Sequence, residues 1–403
     1  MTAPDAGMPG GARSGEVVNF VSNLRAGDAS GGYSARAQAA LEVLSAAFDV
    51  RYVGPLNPKA SWSASAISKG AKLLGLPRDF YFFSRGRLDA IARDYARQSS
   101  SAAAFDFFHG FTPWIHIRPS RRYIAWNDCT FHDYVRIYHD HGAFSRRDLA
   151  RIENREADWL RKADGVIFRS RYFAERAIGH YGLNSERVRS LPNFGALAAP
   201  DRDVYEDGRR FLFISTNFAG KGGARVLEAF AAVRQRYPDA ELWIVGDAPQ
   251  TRPEAAGVRW FGFLRKSDPD ELATLRGLFA QATALVHPTL LDTNPAVIPE
   301  AAYFGCPAIA SRVNAIPEFL DDGRTGFLLP DPLDVARIAD RMAWMLDNPQ
   351  PYRAMRRRAR ERALAEFTRA TFDARFLEAV MGIRARAGDG QDAARSPLAL
   401  AGE

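Results

Sequence analysis

Two clusters in the sequence have the residue types to handle a phosphorylated ligand. The first is Ser215-Thr216-Asn217-Phe218-Ala219-Gly220-Lys221-Gly222-Gly223. Gly220 and Gly222 let the backbone come close to a ligand. Lys221 adds a mobile cation, and a helix starting there adds free N–H groups and the positive end of its dipole. Such a turn suits a diphosphate, although Lys-Gly-Gly alone is more often plain loop chemistry. No Gly-Lys-Ser/Thr order makes it a Walker loop. The second cluster is Asp292-Thr293-Asn294-Pro295-Ala296-Val297-Ile298-Pro299-Glu300. Proline is tolerated only in the first turn of a helix, so Pro299 predicts a helix starting near Ala296. Glu300 then lies one turn inside, with Asp292 on the loop before it. Two such carboxylates can flank one ligand, and Glu300 has the lone pairs to accept two ribose hydroxyls. On spacing alone, a turn aspartate and a surface glutamate are the favoured reading.

The elements around these clusters must hold them at strand ends. A strand at Val17–Val21 leads into a Gly-rich turn, a helix over 35–47 and a strand over 50–53. Residues 58–104 are mostly helical. Apolar runs at 105–108 and 123–126 follow, each ending in polar groups, His109-Gly110 and Asn127-Asp128. A long amphipathic helix over 146–162 precedes a buried strand at Gly165–Phe168 and a helix over 172–181. Leu191-Pro192-Asn193-Phe194-Gly195 and an Ala/Pro/Asp stretch punctuate the chain. Alternation then restarts, with strands at 211–215, 241–245, 258–261, Ala284–His287 and Ala308–Ser311 and helices over 222–236, 269–281 and 296–304. Short apolar strands alternating with helices predict a doubly wound parallel sheet in each half. The expected division is a leader over 1–15, domains over 16–197 and 198–386, and a flexible tail over 387–403. The last helix is free to pack back on the first domain. In open α/β sheets ligands bind beyond the carboxyl ends of strands, so the residues after each strand matter most.

Composition narrows the class. The chain has 403 residues, 47% apolar and 25% charged, which is globular and long enough for two cores. No apolar run approaches the roughly 18–20 residues of a membrane span. The leader is Gly/Ala/Pro-rich without an apolar centre, unlike a signal peptide. Two distant cysteines, Cys129 and Cys306, offer no zinc spacing and point to a reducing, cytoplasmic setting. The formal charge of +7 suits nucleotides, anionic substrates or acidic lipid headgroups, and equally plain solubility.

The stretch 285–330 resembles the donor-site signature of the retaining GT-B glycosyltransferases of family 4. That signature runs Glu, seven residues, Glu-Ala, Gly-x-Pro, a strand, then Pro-Glu and two glycines. Here these are Asp292, Glu300-Ala301, Gly305-Cys306-Pro307, Ala308–Ser311, Pro317-Glu318, Gly323 and Gly326. The resemblance implies an α/β GT-B fold, two Rossmann-like domains facing across a cleft. It implies transfer of a hexose-type sugar from a UDP- or GDP-sugar to a hydroxyl of a glycan, lipid-linked or small acceptor. Retention, with the leaving phosphate assisting acceptor deprotonation, is expected, and no metal or other cofactor. Lys221 is expected to bind the diphosphate and Glu300 the ribose. Asp292 takes the place of the first Glu at the sugar hydroxyls. Gly31-Gly32 matches the loop that closes over the diphosphate, joined by Gly220 and Gly222. Thr293, Asn294, Pro295, Ala296 and Val297 meet phosphate and sugar, and Gly262, Phe263 and Leu264 sit near the base.

Three departures stand out. The family usually has an Arg five residues before the Lys, and here that position is Thr216. Asp292 is one methylene shorter than Glu. Where the family often has a His-Asp pair, this chain has Asn127-Asp128, and Asp128 joins Lys221 and Asp292 as a catalytic candidate. These departures also fit a weakened GT-B scaffold that binds nucleotide sugars without turnover.

Other signals weigh less. His139-Asp140-His141 with His132-Asp133 resembles a metal cluster, but adjacent residues rarely converge on one ion. Asp268 is expected to cap the helix starting at Pro269 rather than to join an Asp-x-Asp metal site. Arginine clusters such as Arg356-Arg357-Arg358 read as solvated helix faces, and no nucleic acid is expected as a partner. Basic and aromatic residues over 62–83 suit peripheral contact with an anionic membrane, on the inner face, or a helix packed on its own domain.

Overall fold

Strands buried on both faces read as continuous apolar runs, because helices cover each side of a parallel sheet. That pattern recurs throughout this chain. The computed structural model describes residues 14–28, 32–248 and 254–393. Most of the expected leader, Gly31 of the closing loop, and residues 394–403 of the tail lie outside the described residues.

The first half comprises β1 (Val17–Val21), α1 (Gly32–Ala47), β2 (Asp49–Val53), α2 (Trp62–Leu73), α3 (Arg85–Gln98), β3 (Phe105–His109), β4 (Tyr123–Asn127), α4 (Phe131–Tyr138), α5 (Arg146–Arg161), β5 (Gly165–Phe168), α6 (Arg171–Tyr181) and β6 (Val188–Ser190). Its six strands are all parallel, in the order β2-β1-β3-β4-β5-β6. The second half comprises β7 (Arg210–Ser215), α7 (Gly223–Arg236), β8 (Glu241–Gly246), β9 (Val258–Gly262), α8 (Pro269–Gln281), β10 (Ala284–His287), α9 (Val297–Tyr303), β11 (Ala308–Ser311), β12 (Gly326–Leu329), α10 (Val335–Asp347), α11 (Pro349–Glu366) and α12 (Arg369–Ala393). Its order is β12-β11-β10-β7-β8-β9, again parallel. Strand order reverses between β1 and β3 in one sheet and between β7 and β10 in the other. Crevices at such reversals are where open α/β sheets take ligands.

Side-chain caps set many helix starts. Thr130 accepts the Asp133 N–H, Ser170 that of Phe173, and Asp268 those of Asp270 and Glu271. Asp268 is thus the expected cap. No helix among the described residues is long and apolar enough to cross a membrane.

α12 crosses back to the first sheet. Phe372, Phe376, Val380 and Ile383 are buried there with Phe107 and Trp126, the Phe376 ring 5.5 Å from that of Trp126. Each such side chain contributes roughly 1.5–3 kcal/mol by leaving water. The helix runs to Ala393, past the expected end near 386, because no proline interrupts it before Pro397. Three elements were not expected. β6 is a three-residue edge strand with two polar residues, and β12 is a four-residue edge strand that starts at Gly326 of the glycine-marked run. α4 was hidden by β-favouring residues, Tyr134, Val135, Ile137 and Tyr138.

Candidate functional site

The two order reversals face one another, and a cavity of about 270 Å³ lies between them. From the second half, the chain leaving β7 supplies Ser215, Thr216 and Lys221. Gly222 caps α7 in a left-handed conformation, φ 83°, and a Cβ there would lie 2.6 Å from the Pro288 carbonyl oxygen. Glycine therefore lets the Lys221 turn lie against the loop after β10.

That loop carries Asp292. Its Oδ2 accepts from Lys221 Nζ at 2.5 Å and from Nε2 of His287, the last residue of β10, at 2.8 Å. Burial opposes the charge on Asp292. The His287 hydrogen bond and Lys221 together outweigh it and hold the carboxyl down at about 2. α9 starts at Val297 after Ala296, within one residue of the expected start. Asn294, Pro295, Ala296 and Val297 line the cavity.

From the first half come Gly32, Tyr33 and Arg36 of α1, Asp128 after β4, Arg169 after β5 and Asn193. Arg169 pairs with Asp128, and its guanidinium lies 5.6 Å from the Tyr33 ring and 5.7 Å from that of Trp126. Burial raises the Asp128 carboxyl above its ordinary value, against the pull of Arg169. Arg36 is 1% exposed. Its Nε donates to Asn193 Oδ1 at 2.7 Å and its Nη2 to the Phe194 carbonyl, while Nη1 has no hydrogen-bond partner among the described residues. Burial brings its pKa down to about 10. Among the described residues, no carboxylate forms an ion pair with it. A buried cation in that condition is costly unless an anion joins it.

Asn193 and Asn294 tie these groups together. Asn193 Nδ2 donates to the Asn294 carbonyl at 2.9 Å, and Asn294 Nδ2 donates to the Arg169 carbonyl at 2.6 Å.

Several expected residues stand elsewhere. Glu300 is buried, not on the surface. Its Oε1 accepts from Lys266 Nζ at 2.5 Å and from the Ala196 N–H at 2.8 Å, in the segment joining the halves. A Cβ on Gly195 would lie 2.9 Å from Glu300 Cγ and 2.5 Å from the Tyr303 ring, so glycine is required for that approach. Glu300 does not line the cavity, nor do Gly262, Phe263, Leu264, Gly220, Gly222 or Thr293. Phe263 is exposed, Leu264 packs against the second-half core, and Thr293 lies 3.5 Å from the Tyr138 hydroxyl. His109 is buried away from the cavity wall, with Nδ1 3.3 Å from Ser22 Oγ. The His132–His141 segment does not converge as a unit. His139 packs on Phe80, Asp133 pairs with Arg136 and Arg176, and Asp140 caps Gly142.

Arg36, Arg169, Asn193 and His287 are the site residues that sequence reasoning missed. Arg169 and His287 occupy strand ends, a signal that could have found them. Arg36 had none, because its burial depends on residues 157 and 158 positions away.

Comparison with known proteins follows the same lines. The Glycosyltransferase Family 4 model matches residues 31–194, and the Glycosyl transferases group 1 model matches residues 208–348. The chain is 28% identical over 275 residues to the GDP-mannose-dependent alpha-(1-6)-phosphatidylinositol monomannoside mannosyltransferase of Mycolicibacterium smegmatis, covering 60% of this chain and 72% of that protein. It is 35% identical over 190 residues to the phosphatidyl-myo-inositol mannosyltransferase of Mycobacterium tuberculosis, covering 44% of this chain and 48%, about half, of that relative. Among solved structures, the sucrose-phosphate synthase of Thermosynechococcus elongatus superimposes with a TM-score of 0.65 at 16% identity, over 92% of this chain and 100% of that one, a likeness of fold. With one family model on each half and two parallel sheets meeting at a cleft, the chain belongs to the family 4 glycosyltransferases and has the GT-B fold.

Proposed function

We propose that this protein transfers a hexosyl residue from a nucleoside diphosphate sugar to an acceptor hydroxyl, with retention and without a metal ion. One observation carries the reading. Lys221 from one half and Arg36 and Arg169 from the other line a single cavity, and among the described residues no carboxylate forms an ion pair with Arg36. A diphosphate supplies the missing anion through charge-assisted hydrogen bonds. Arg36 and Arg169 lie on the same cavity as Thr216 and take over from the arginine the family usually has there.

The chemistry then asks little of nucleophiles. The bond from the sugar C1 to the β-phosphate oxygen breaks, and negative charge grows on the leaving phosphate. Fixed cations in a partly dry site stabilise that charge more than they stabilise the ground state. As the phosphate engages Lys221, Asp292 gives up part of that contact and accepts hydrogen bonds from sugar hydroxyls. It is already ionised and held by His287. The acceptor hydroxyl attacks from the side the phosphate leaves, and a phosphate oxygen takes its proton. Glu300, behind the cavity wall and tied to Lys266 and the segment joining the halves, positions the donor loop, and its remaining lone pairs await a ribose that extends beyond the cavity.

The mannosyltransferase relatives make GDP-mannose the first donor to test and a phosphoinositide the first acceptor. α2 supports a peripheral membrane location. Ser68 is its one buried residue, Trp62 and Leu73 are 84% and 88% exposed, and Lys69 and Lys72 share the helix. Such a helix suits the interface of an anionic bilayer. The test is transfer from GDP-mannose, UDP-glucose and UDP-N-acetylglucosamine to vesicles containing phosphatidylinositol, with the product anomer read by NMR. An α-linked product is expected. Nucleotide binding without transfer across the panel, a β-linked product, or activity lost on chelation and restored only by Mg²⁺ or Mn²⁺ contradicts the proposal.

A further inference from the structure

His132 of α4, Glu153 of α5 and His180 of α6 come from three separate helices and meet at one point on the first half. None of them lines the donor cavity. His132 Nδ1 lies 3.2 Å from Glu153 Oε1, and His180 Nε2 lies 3.7 Å from Glu153 Oε2. The two imidazole rings face one another with centroids 3.8 Å apart and planes inclined by 32°. One ligand atom from each residue lies within 4.8 Å of the other two.

We infer that these three residues form a zinc site, separate from the sugar-transfer centre. Two neutral imidazoles and one carboxylate are a ligand set that Zn²⁺ favours, with water in the fourth position. A tetrahedral ion with bonds of about 2.0–2.2 Å needs ligand atoms roughly 3.4 Å apart. The side chains must therefore close by up to an ångström or so. His180 has room to do this, being 45% exposed in the last turn of α6.

The surroundings hold the ligands in place. Tyr181, next to His180, donates its hydroxyl to Glu156 Oε2 at 2.9 Å, and Glu156 sits three residues after Glu153 on α5. The same tyrosine oxygen accepts the His132 N–H at 3.4 Å. Glu156 also accepts the N–H of Phe131, the first residue of α4, at 2.6 Å. Zinc would thus pin α4, α5 and α6 together at the helix that begins three residues after Asp128. The ring of His141 is 6.3 Å from that of His132, beyond bonding distance.

The test uses the full chain, stripped with a chelator, dialysed, and titrated with zinc chloride against a chromophoric competitor, alongside thermal unfolding. Wild type is expected to hold one zinc per chain and to melt several degrees higher with it, since a ligand that binds only the folded state stabilises by mass action. His180→Ala and Glu153→Gln should each weaken zinc by roughly 100-fold or more while leaving the thermal shift with GDP or UDP unchanged. His180 is exposed enough that its loss should not unfold the chain. Wild type with no zinc bound at about 10 μM free metal, or His180→Ala and Glu153→Gln binding zinc as tightly as wild type, would overturn the site.

Discussion

Arg36 and Asn193 are joined by a 2.7 Å hydrogen bond from Nε to Oδ1, and the same asparagine donates through Nδ2 to the carbonyl of Asn294. One side chain thus links a cation of the first half to the donor loop of the second. Asn294 continues the link by donating to the Arg169 carbonyl. Arg36, through Asn193, and the Arg169 carbonyl are thus tied to the donor loop of the opposite lobe, while Lys221 is held by Asp292 of its own. Their geometry depends on how the halves close.

With Lys221 facing the leaving phosphate as proposed, Lys221→Ala should lower turnover by roughly 100- to 1000-fold. It should also be visible without substrate. Asp292 is held at about 2, below its ordinary value of 3.8. A depressed carboxyl adds stability that is present above the unfolded pKa and lost as pH falls toward the folded one. Losing Lys221 should raise the Asp292 pKa and cost about 1–2 kcal/mol at neutral pH, read by urea unfolding. Turnover equal to wild type would remove Lys221 from the reaction.

Glu156 sets a pH dependence of opposite sign. It is fully buried and accepts from Thr112, Phe131 and Tyr181, yet burial pushes it up to about 7 from an ordinary 4.5. The folded chain then binds this proton more tightly than the unfolded chain. Stability should be highest below about pH 4.5 for this group and fall as pH rises toward 7, by on the order of 3 kcal/mol. Glu156→Gln should flatten that slope. The check is the difference between the two proteins in urea unfolding from pH 4.5 to 7.5. Parallel curves would show that Glu156 does not titrate in this window.

Much of this architecture was legible in the chain. Val17–Val21 and Gly165–Phe168 read as strands because both faces are covered and every position stays apolar or nearly so. Lys221 and Asp292 were legible because each follows such a run, and they proved to be in contact. The edge strands β6 and β12 were not, since β6 has one apolar residue in three and β12 starts at Gly326, inside the glycine-marked run of the donor signature. Glu300 shows the other limit. Its motif position was visible, but the Lys266 and Ala196 contacts that occupy it arise only when distant segments meet. Arg36 is the clearest case, a helix arginine whose burial is decided by Asn193 and Phe194.

Replacing Trp62, Ile67 and Leu73 of α2 by serine should weaken binding to vesicles containing phosphatidylglycerol by roughly 10-fold or more, because each removes exposed apolar surface that the bilayer would cover. Sedimentation with vesicles measures this, and added salt should weaken wild-type binding further. The thermal shift with soluble nucleotide should not change. Equal sedimentation of the variant and wild type would assign α2 another partner.

Arg36 is buried, and the proposed function keeps its charge for a phosphate. Calorimetric titration of Arg36→Met with nucleoside diphosphate and monophosphate, using whichever base binds wild type better, tests it most directly. Relief of a buried cation with no ion pair among the described residues offsets the lost Asn193 and Phe194 hydrogen bonds, so the unbound protein should stay within about 1–2 kcal/mol of wild type. The substitution should cut diphosphate affinity by roughly 10- to 100-fold and monophosphate affinity by less. Adding Thr216→Arg should restore part of the loss. If Arg36→Met binds the diphosphate as tightly as wild type, the cleft's charge does not serve a leaving phosphate and the account fails.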